Sequence, residues 1–259
     1  MKGIDSYSYS NDLRSVHPVE KTVFSLGTVL ICLVRGSIVT SLMVILIMSL
    51  GATLVAGVSP WFYLRLLTVP GSFLVVAVLT VVITVAGPEA SEVNYLWRLK
   101  LGGFRLGIEL GNLIFGLKLF LKSLGSITSL YFLILTTPVV ELISVLKKCR
   151  VPKLFLELMT FIYHLLFVLS TTASRIKNSQ LSRLGYSSLR STMNSLGQLV
   201  SGLFVRSYYR AKNLIIALET RGYDGELKVA RRKYKFSRTN LTAILLLETS
   251  LVLISIYFR

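Results

Sequence analysis

Two short motifs centred on arginine are the residues of this chain best suited to bind another molecule. They are Ser182-Arg183-Leu184 and Thr220-Arg221-Gly222, and each lies near the end of a helix-like segment. An arginine at a helix end can enter a groove lined with carboxylates, where its planar guanidinium group donates two parallel hydrogen bonds. A lone exposed arginine is usually solvated, but two in similar settings predict a pair of docking sites.

No other set of residues has the spacing of a catalytic or metal site. Cys32, Cys149, His17 and His164 are too scattered for a disulfide scaffold or a metal site. The sequence has no Gly-rich loop ending in Gly-Lys-Ser/Thr, so we do not expect the chain to hydrolyse ATP. An enzyme acting on lipid would need a convergent set of acids, bases or nucleophiles. We therefore expect neither catalysis nor a bound cofactor.

The composition places the arginine motifs in a membrane protein. Of the 259 residues 53% are hydrophobic and 16% are charged, with a mean hydropathy of +0.67. This is more apolar surface than one soluble core would use. Residues 36–64 and 66–88 are uncharged, and each run exceeds the roughly 20 residues that cross a bilayer. We predict an all-α, polytopic protein of the cell membrane.

Three further segments, 22–34, 110–140 and 239–258, are predicted to span the membrane although charges interrupt or shorten them. Lys118 and Lys122 lie one turn apart and can both extend to one interface. Glu248 falls in the middle of the last segment, where a carboxylate is expected to face the protein interior and meet a donor, or to be protonated. Structural pairing is the favoured role for Glu248 over a functional one.

The distribution of positive charge indicates the topology. Of the 29 Lys and Arg residues, 18 lie within residues 139–238. A crossing by residues 154–172 would place one basic flank outside, against the positive-inside tendency. We therefore predict five spans, with six as the alternative, and expect the basic residues to meet anionic lipid rather than nucleic acid.

The predicted organisation has four parts. Residues 1–21 form a cytoplasmic N-terminal arm, and residues 22–137 form transmembrane helices 1–4. Residues 138–238 form a helical cytoplasmic or interfacial coupling domain, and residues 239–259 form the C-terminal transmembrane helix. The arginine motifs then belong to the coupling domain.

Prolines at positions 60, 138 and 152 predict helix starts, because the first helical turn tolerates a missing N–H. Within the coupling domain we predict one helix over residues 152–182 and a second over about 195–220. A Gly-Tyr pair follows each arginine motif, Gly185-Tyr186 and Gly222-Tyr223, and glycine is a natural helix stop.

A repeat of glycine at every fourth position, Gly103, Gly107 and Gly111, predicts a ridge on one helix face. Small residues let membrane helices approach closely, so the ridge is expected to pack another helix of this chain. Arg105 and Glu109 are four residues apart and would pair along the same helix.

The sequence resembles a known family, the transmembrane T component of energy-coupling factor transporters, and within it the CbiQ type. The likeness covers nearly the whole chain. It is carried by Tyr9-Ser10-Asn11-Asp12-Leu13, Val16-His17-Pro18, Lys21, Thr136-Thr137-Pro138 and, most specifically, Ala217-Leu218-Glu219-Thr220-Arg221-Gly222-Tyr223-Asp224-Gly225. In that family an Ala-Arg-Gly-like triplet ends each of two coupling helices. Here the second motif has Thr220 in place of Ala, and the first keeps only Arg183.

The resemblance implies a scaffold that links two cytoplasmic ATP-binding subunits to a separate, CbiM-like membrane subunit that captures the substrate. ATP would then be bound by the partners and not by this chain. Cobalt is favoured as the substrate, with nickel or a vitamin left open. The alternative is a stand-alone secondary transporter or channel, which would show paired broken helices or internal repeats. No clear repeat occurs in the sequence.

Overall fold

The structure is a computed structural model, and it describes residues 2–86, 95–101, 104–223, 234 and 237–257. In chain order the α-helices of this part are α1 (Lys2–Ser10), α2 (Pro18–Arg35), α3 (Ile38–Leu50), α4 (Pro60–Val82), α5 (Leu110–Thr136), α6 (Val139–Lys148), α7 (Lys153–Ser182), α8 (Leu189–Glu219) and α9 (Arg238–Tyr257). A 3-10 turn spans Asp12–Ser15, and a π-helical turn, Gly51–Val55, continues α3. The strands are β1 (Ile83–Ala86), β2 (Tyr95–Leu101) and β3 (Phe104–Glu109).

The chain divides into two compact units. The bundle unit comprises Met1–Leu142 and Lys233–Arg259, and the hairpin unit comprises Ile143–Arg232. The bundle unit therefore contains α1–α5, the three strands and α9, while the hairpin unit contains α7 and α8.

Five described helical segments are long and apolar enough to cross a membrane. They are Ile38–Val55, Pro60–Val82, Leu110–Thr136, Lys153–Ser182 and Arg238–Tyr257. The predicted fold class, a polytopic helical membrane protein, is confirmed.

Five candidate segments equal the predicted number of spans, but the membership differs, so the predicted set of spans is not reproduced. Helix α2, which contains predicted span 22–34, is not among the five, because its 18 residues include Glu20, Lys21 and Arg35. Helix α7 is among them, although we expected its apolar stretch to lie outside the bilayer. The break between the first two predicted spans falls at Ser59–Pro60, so Arg65 lies inside α4. Pro88 and Phe258, at the ends of predicted spans, lie outside the described residues.

Helix α5 is the centre of the bundle unit, where it packs against α2, α3 and α4. Cys32, Val44, Met48 and Leu135 are fully buried there, and Phe24 meets Phe132 edge to face with ring centroids 5.7 Å apart. Burial of this kind in a membrane protein depends on close packing rather than on the hydrophobic effect.

Small residues allow that close packing, but at other positions than the predicted glycine ridge. A Cβ atom on Gly125 of α5 would lie 3.2 Å from Cys32 Sγ of α2 and 3.4 Å from the Ser41 carbonyl oxygen of α3. Ser25 of α2 donates a hydrogen bond to the Ser129 carbonyl of α5 at 2.5 Å. Small residues of α2, α3 and α5 therefore meet at Gly125, and the Ser25 bond is a further close contact between α2 and α5.

The predicted glycine ridge is wrong, because its central residue lies in a strand. Strands β1, β3 and β2 form an antiparallel sheet in that order, and Gly107 of β3 pairs with Thr84 and with Arg98. Gly103 lies outside the described residues, and Gly111 belongs to α5. The predicted helical pairing of Arg105 with Glu109 is also wrong, since four residues of strand span about 13 Å.

Glu248 of α9 packs directly on Gly27 of α2. A Cβ atom on Gly27 would lie 2.1 Å from Glu248 Oε1, so only glycine leaves room for the carboxyl group. Glu248 Oε1 is buried and has no hydrogen-bond partner among the described residues. The prediction that Glu248 faces the protein interior is confirmed, while the predicted donor is not found in this part of the chain.

This contact predicts that Gly27→Ala destabilises the bundle unit by about 0.5–1.5 kcal/mol, because the added methyl group must turn the end of the Glu248 side chain out of its rotamer. In a Glu248→Ala background the same substitution should have little effect. Thermal unfolding of the detergent-solubilised protein measures both. Gly71→Ala in α4 is the control, since a Cβ atom there meets nothing within 4 Å. Equal destabilisation by Gly27→Ala in both backgrounds would show that Glu248 is not the obstacle.

Candidate docking site on the helical hairpin

Helices α7 and α8 form an antiparallel hairpin held at both ends by side-chain hydrogen bonds. At the turn, Gln180 Nε2 donates to the Ser195 carbonyl oxygen at 2.9 Å. At the opposite end, Tyr223 Oη donates to Glu157 Oε2 at 2.9 Å. Helix α7 has 30 residues and is therefore about 45 Å long. The predicted long helix ending at Ser182 is confirmed.

Arg183 lies at the C-terminal end of α7, inside a Schellman motif. The Gly185 N–H donates to the Gln180 carbonyl at 2.8 Å, and the Leu184 N–H donates to the Leu181 carbonyl at 3.0 Å. These two bonds, six-to-one and five-to-two, define the motif and require a left-handed residue after the helix end. Leu184 takes that conformation, with φ of 57°.

Arg221 lies at the end of α8 in the same backbone arrangement. The Tyr223 N–H donates to the Leu218 carbonyl and the Gly222 N–H to the Glu219 carbonyl, both at 3.0 Å. Gly222 is the left-handed residue, with φ of 73°. Arg183 and Arg221 thus occupy equivalent positions, each immediately before the left-handed residue, and both are exposed.

The hydroxyl groups of both motifs turn back onto their own helices. Ser182 Oγ donates to the Asn178 carbonyl, and Thr220 Oγ1 donates to the Ala217 carbonyl, each at 3.1 Å. Thr220 can therefore stand where the resembling family has alanine without adding a free polar group. In each motif arginine is left as the charged side chain at the helix end.

The two glycines that follow the arginine motifs are not equivalent, contrary to their position in the sequence. Gly222 fills the left-handed position of its motif, but Gly185 lies one residue beyond Leu184. A leucine in the left-handed region costs about 1–2 kcal/mol relative to the ordinary helical region. The surrounding turn must therefore stabilise the end of α7 by other contacts.

Those contacts converge on Gly185. Ser195 Oγ and Ser191 Oγ both donate to the Gly185 carbonyl, at 2.7 Å and 2.9 Å, and Tyr186 Oη donates to Gln180 Oε1 at 2.9 Å. A Cβ atom on Gly185 would lie 2.7 Å from Ser195 Oγ and 2.9 Å from the Gln180 carbonyl oxygen. Gly185 is needed for this close approach, which fixes the backbone beside Arg183.

Gln180, Ser191 and Ser195 are site residues that the sequence does not predict. A weak signal exists, because Ser191 and Ser195 are four residues apart and thus share a helix face. Only the fold shows that this face meets Gly185.

The spanning helices of the bundle unit together with this hairpin define a multi-pass membrane protein. Residues 10–231 match the family model described as CbiQ, cobalt transport protein. The chain belongs to this family of membrane transport proteins, and the resemblance predicted from its motifs is confirmed.

The chain is similar to three proteins, two of which are named as cobalt transport proteins. Over 226 residues the chain is 32% identical to an uncharacterised protein of Methanocaldococcus jannaschii, covering 87% of this chain and 82% of the relative. It is 26% identical to the cobalt transport protein CbiQ of Salmonella typhimurium over 226 residues, or 87% and 99% of the two chains. It is also 30% identical to a putative fused cobalt transport protein CbiMQ of Methanocorpusculum labreanum over 222 residues, or 86% and 36%.

Proposed function

We propose that this protein is the coupling subunit of an energy-coupling factor importer of the ABC class. In this role it links two cytoplasmic ATP-binding subunits to a separate membrane subunit that captures cobalt. The observation that carries the proposal is the pair of identically capped helix ends that present Arg183 and Arg221.

The arrangement of the hairpin suits two partners of the same kind. Each end carries one exposed arginine on the same backbone motif, so each arginine can enter the same type of carboxylate-lined groove. The ends of α7 and α8 lie on opposite ends of an antiparallel pair about 45 Å long. One ATP-binding subunit can therefore bind at each end without the two competing for a site.

A CbiM-like membrane subunit is the proposed third partner. The relative from Methanocorpusculum labreanum is named as a fusion of CbiM with CbiQ, and fusion places two chains in one assembly. Helix α8 leaves Leu189, Met193 and Phe204 at least 70% exposed, which is apolar surface for lipid or a partner to cover. The family name favours cobalt, and nickel competition in the uptake assay decides between the two metals.

In this proposal the chain itself is not catalytic, and hydrolysis of ATP belongs to the partners. The test is to purify the chain with its ATP-binding and CbiM-like subunits and measure ATP-dependent cobalt uptake in proteoliposomes. We expect uptake only when all subunits are present. Uptake by the chain alone, without ATP, would instead show the stand-alone transporter.

The proposal requires that the hairpin turn be on the cytoplasmic side, although α7 is long and apolar enough to cross. Two cysteines on either side of α7 test this requirement. Native Cys149 is exposed and precedes α7, and Ser187→Cys lies beyond its end. In a Cys32→Ala background, we expect both to react with a membrane-impermeant maleimide in inside-out vesicles and neither in intact cells.

The matched variants make the result unambiguous. Cys149 is tested alone, and Ser187→Cys is tested with Cys149→Ser. Labelling of the two positions from opposite sides would show that α7 crosses the membrane. Labelling of Ser187→Cys from outside would place Arg183 away from the ATP-binding subunits and overturn the proposed docking site.

A further inference from the structure

Two stretches of chain connect the bundle unit to the hairpin unit, and residues beside both are bonded to each other. The chain leaves the bundle unit after Leu142 and returns to it at Lys233. Glu141, in the first turn of α6, precedes the first connection, and Tyr234 follows the second. Tyr234 Oη donates a hydrogen bond to Glu141 Oε1. The outgoing and returning chain are therefore tied together inside the bundle unit.

Lys21 of α2 binds the end of α5, just before the outgoing connection in the chain. Its side chain is 3% exposed, and Nζ donates to the Thr136 carbonyl at 2.9 Å. A cation at this place complements the negative end of the α5 dipole. Burial lowers the pKa of Lys21, and the nearby Glu141 carboxylate opposes that shift. Lys21 thus holds the end of the helix from which the outgoing connection continues.

The neighbouring residue, Glu20, makes the complementary contact with α9. It is fully buried, and its two oxygens accept from the Ser237 N–H at 3.0 Å and from Asn240 Nδ2 at 3.2 Å. A carboxylate at the start of α9 complements the positive end of that helix. Two consecutive residues of α2 therefore bind two different helices. Lys21 binds the last turn of α5, which precedes the outgoing connection, and Glu20 binds the first turn of α9, which follows the returning connection.

We propose that Lys21, Glu141 and Tyr234 form a connection clamp that transmits movement of the hairpin unit into the bundle. This inference rests on the proposed coupling function. Movement transmitted along either connection reaches Glu141 or Tyr234, which are bonded to each other. The outgoing chain is also held to α2, through the bond of Lys21 to Thr136. The clamp makes both connections move together, so that ATP-driven displacement reorients the bundle rather than bending one connection.

A purely structural role would not favour this choice of residues. Burying a lysine and carboxylates is costly, and well-packed apolar side chains of similar size are often as stable or more so. The bonds of Lys21 to Thr136 and of Tyr234 to Glu141 instead fix one arrangement of the groups that they join, because each has a defined donor and acceptor. Lys21, Glu141 and Tyr234 are accordingly positioning residues for coupling.

The test uses the complete complex reconstituted in proteoliposomes, with variants Lys21→Met, Glu141→Gln and Tyr234→Phe. Lys118→Met is the matched control, because Lys118 is an exposed lysine of the same unit. Three quantities are measured: co-purification of the ATP-binding subunits, ATP hydrolysis and cobalt uptake. We expect attachment to be unchanged and hydrolysis to stay within about twofold, while uptake per ATP hydrolysed falls at least about tenfold.

The outcomes separate this inference from the function on which it rests. If the wild-type complex neither assembles nor takes up cobalt, the proposed function fails. If the wild-type works and all three variants keep its ratio of uptake to hydrolysis, the clamp is overturned. Should Lys21→Met fail to give a monodisperse protein, Tyr234→Phe decides, since it removes only one hydroxyl group. Loss of uptake in equal proportion to loss of hydrolysis also overturns the clamp.

Discussion

Replacing Arg183 and Arg221 together by glutamate is expected to abolish attachment of the ATP-binding subunits and ATP-dependent cobalt uptake. Each substitution leaves a partner carboxylate unpaired in a desolvated groove, at a cost of about 3–5 kcal/mol. That cost corresponds to a loss of affinity of roughly 10²- to 4 × 10³-fold at each end of the hairpin. Co-purification from detergent and uptake by proteoliposomes measure the two effects.

Folding should survive these substitutions, because both arginines are exposed at helix ends whose hydrogen bonds are made by backbone groups. The controls are Arg175→Glu on α7 and Arg210→Glu on α8, which are exposed arginines away from the ends. Each single variant at Arg183 or Arg221 should lower the measured stoichiometry from two ATP-binding subunits to one. Normal attachment in the double variant would remove the basis of the proposed docking site.

Replacing Gly185 by alanine is expected to weaken attachment at the Arg183 end without changing any charged residue. The new Cβ atom would lie 2.9 Å from the Gln180 carbonyl oxygen as well as 2.7 Å from Ser195 Oγ. Because a backbone atom cannot move aside alone, the turn must open, at a cost of about 1–3 kcal/mol. Thermal unfolding and the stoichiometry of the co-purified complex both report this change.

Gly202→Ala in α8 is the matched control for this prediction. A Cβ atom there meets nothing within 4 Å, and alanine is a better helix former than glycine by about 1 kcal/mol. We expect Gly202→Ala to raise the unfolding temperature slightly and to leave attachment unchanged. If the two alanine variants behave alike, the close approach at Gly185 does not position Arg183.

Helix ends marked by local sequence could be predicted, because a cap depends on neighbouring residues. Pro60 begins α4 as predicted, whereas α6 and α7 begin one residue after Pro138 and Pro152, within the ambiguity of helix boundaries. Helix α8 begins at Leu189 rather than near residue 195. Its start was missed although Ser188 is a typical N-cap, and Ser188 Oγ accepts from the Ser191 N–H at 3.2 Å.

The sequence analysis does not predict the sheet, because the four-residue spacing of glycines is interpreted there as one face of a helix. The alternation of apolar and polar side chains in the same segment is the signal of a strand. Residues 95–101, Tyr-Leu-Trp-Arg-Leu-Lys-Leu, and residues 104–109, Phe-Arg-Leu-Gly-Ile-Glu, largely alternate apolar with polar or small side chains. A period of two is the signature of a strand. The glycines at every fourth position fit a helix equally well, so one pattern concealed the other.

The arginines of the candidate site could be predicted from the sequence, but their supporting contacts could not. Schellman ends are local, and an arginine before a helix stop is visible in the sequence. The bonds of Lys21 to Thr136 and of Tyr234 to Glu141 join residues that are 115 and 93 positions apart. Contacts between residues so far apart cannot be inferred from a single sequence. Asn11, Lys21 and Thr136 nevertheless all belong to the motifs on which the family resemblance rests. In the fold, Asn11 Nδ2 also donates to the Thr136 carbonyl, at 3.2 Å.

Because α7 and α8 are fastened to each other at the turn and at the Glu157–Tyr223 bond, neither helix can slide along the other without breaking a bond. The hairpin therefore responds as one rigid body to forces applied at Arg183 and Arg221. In the proposed complex, ATP-binding subunits that push the two ends in different directions across the helix axis would turn the hairpin as one piece. A subunit that rests on the hairpin would then be tilted by displacements applied at its ends.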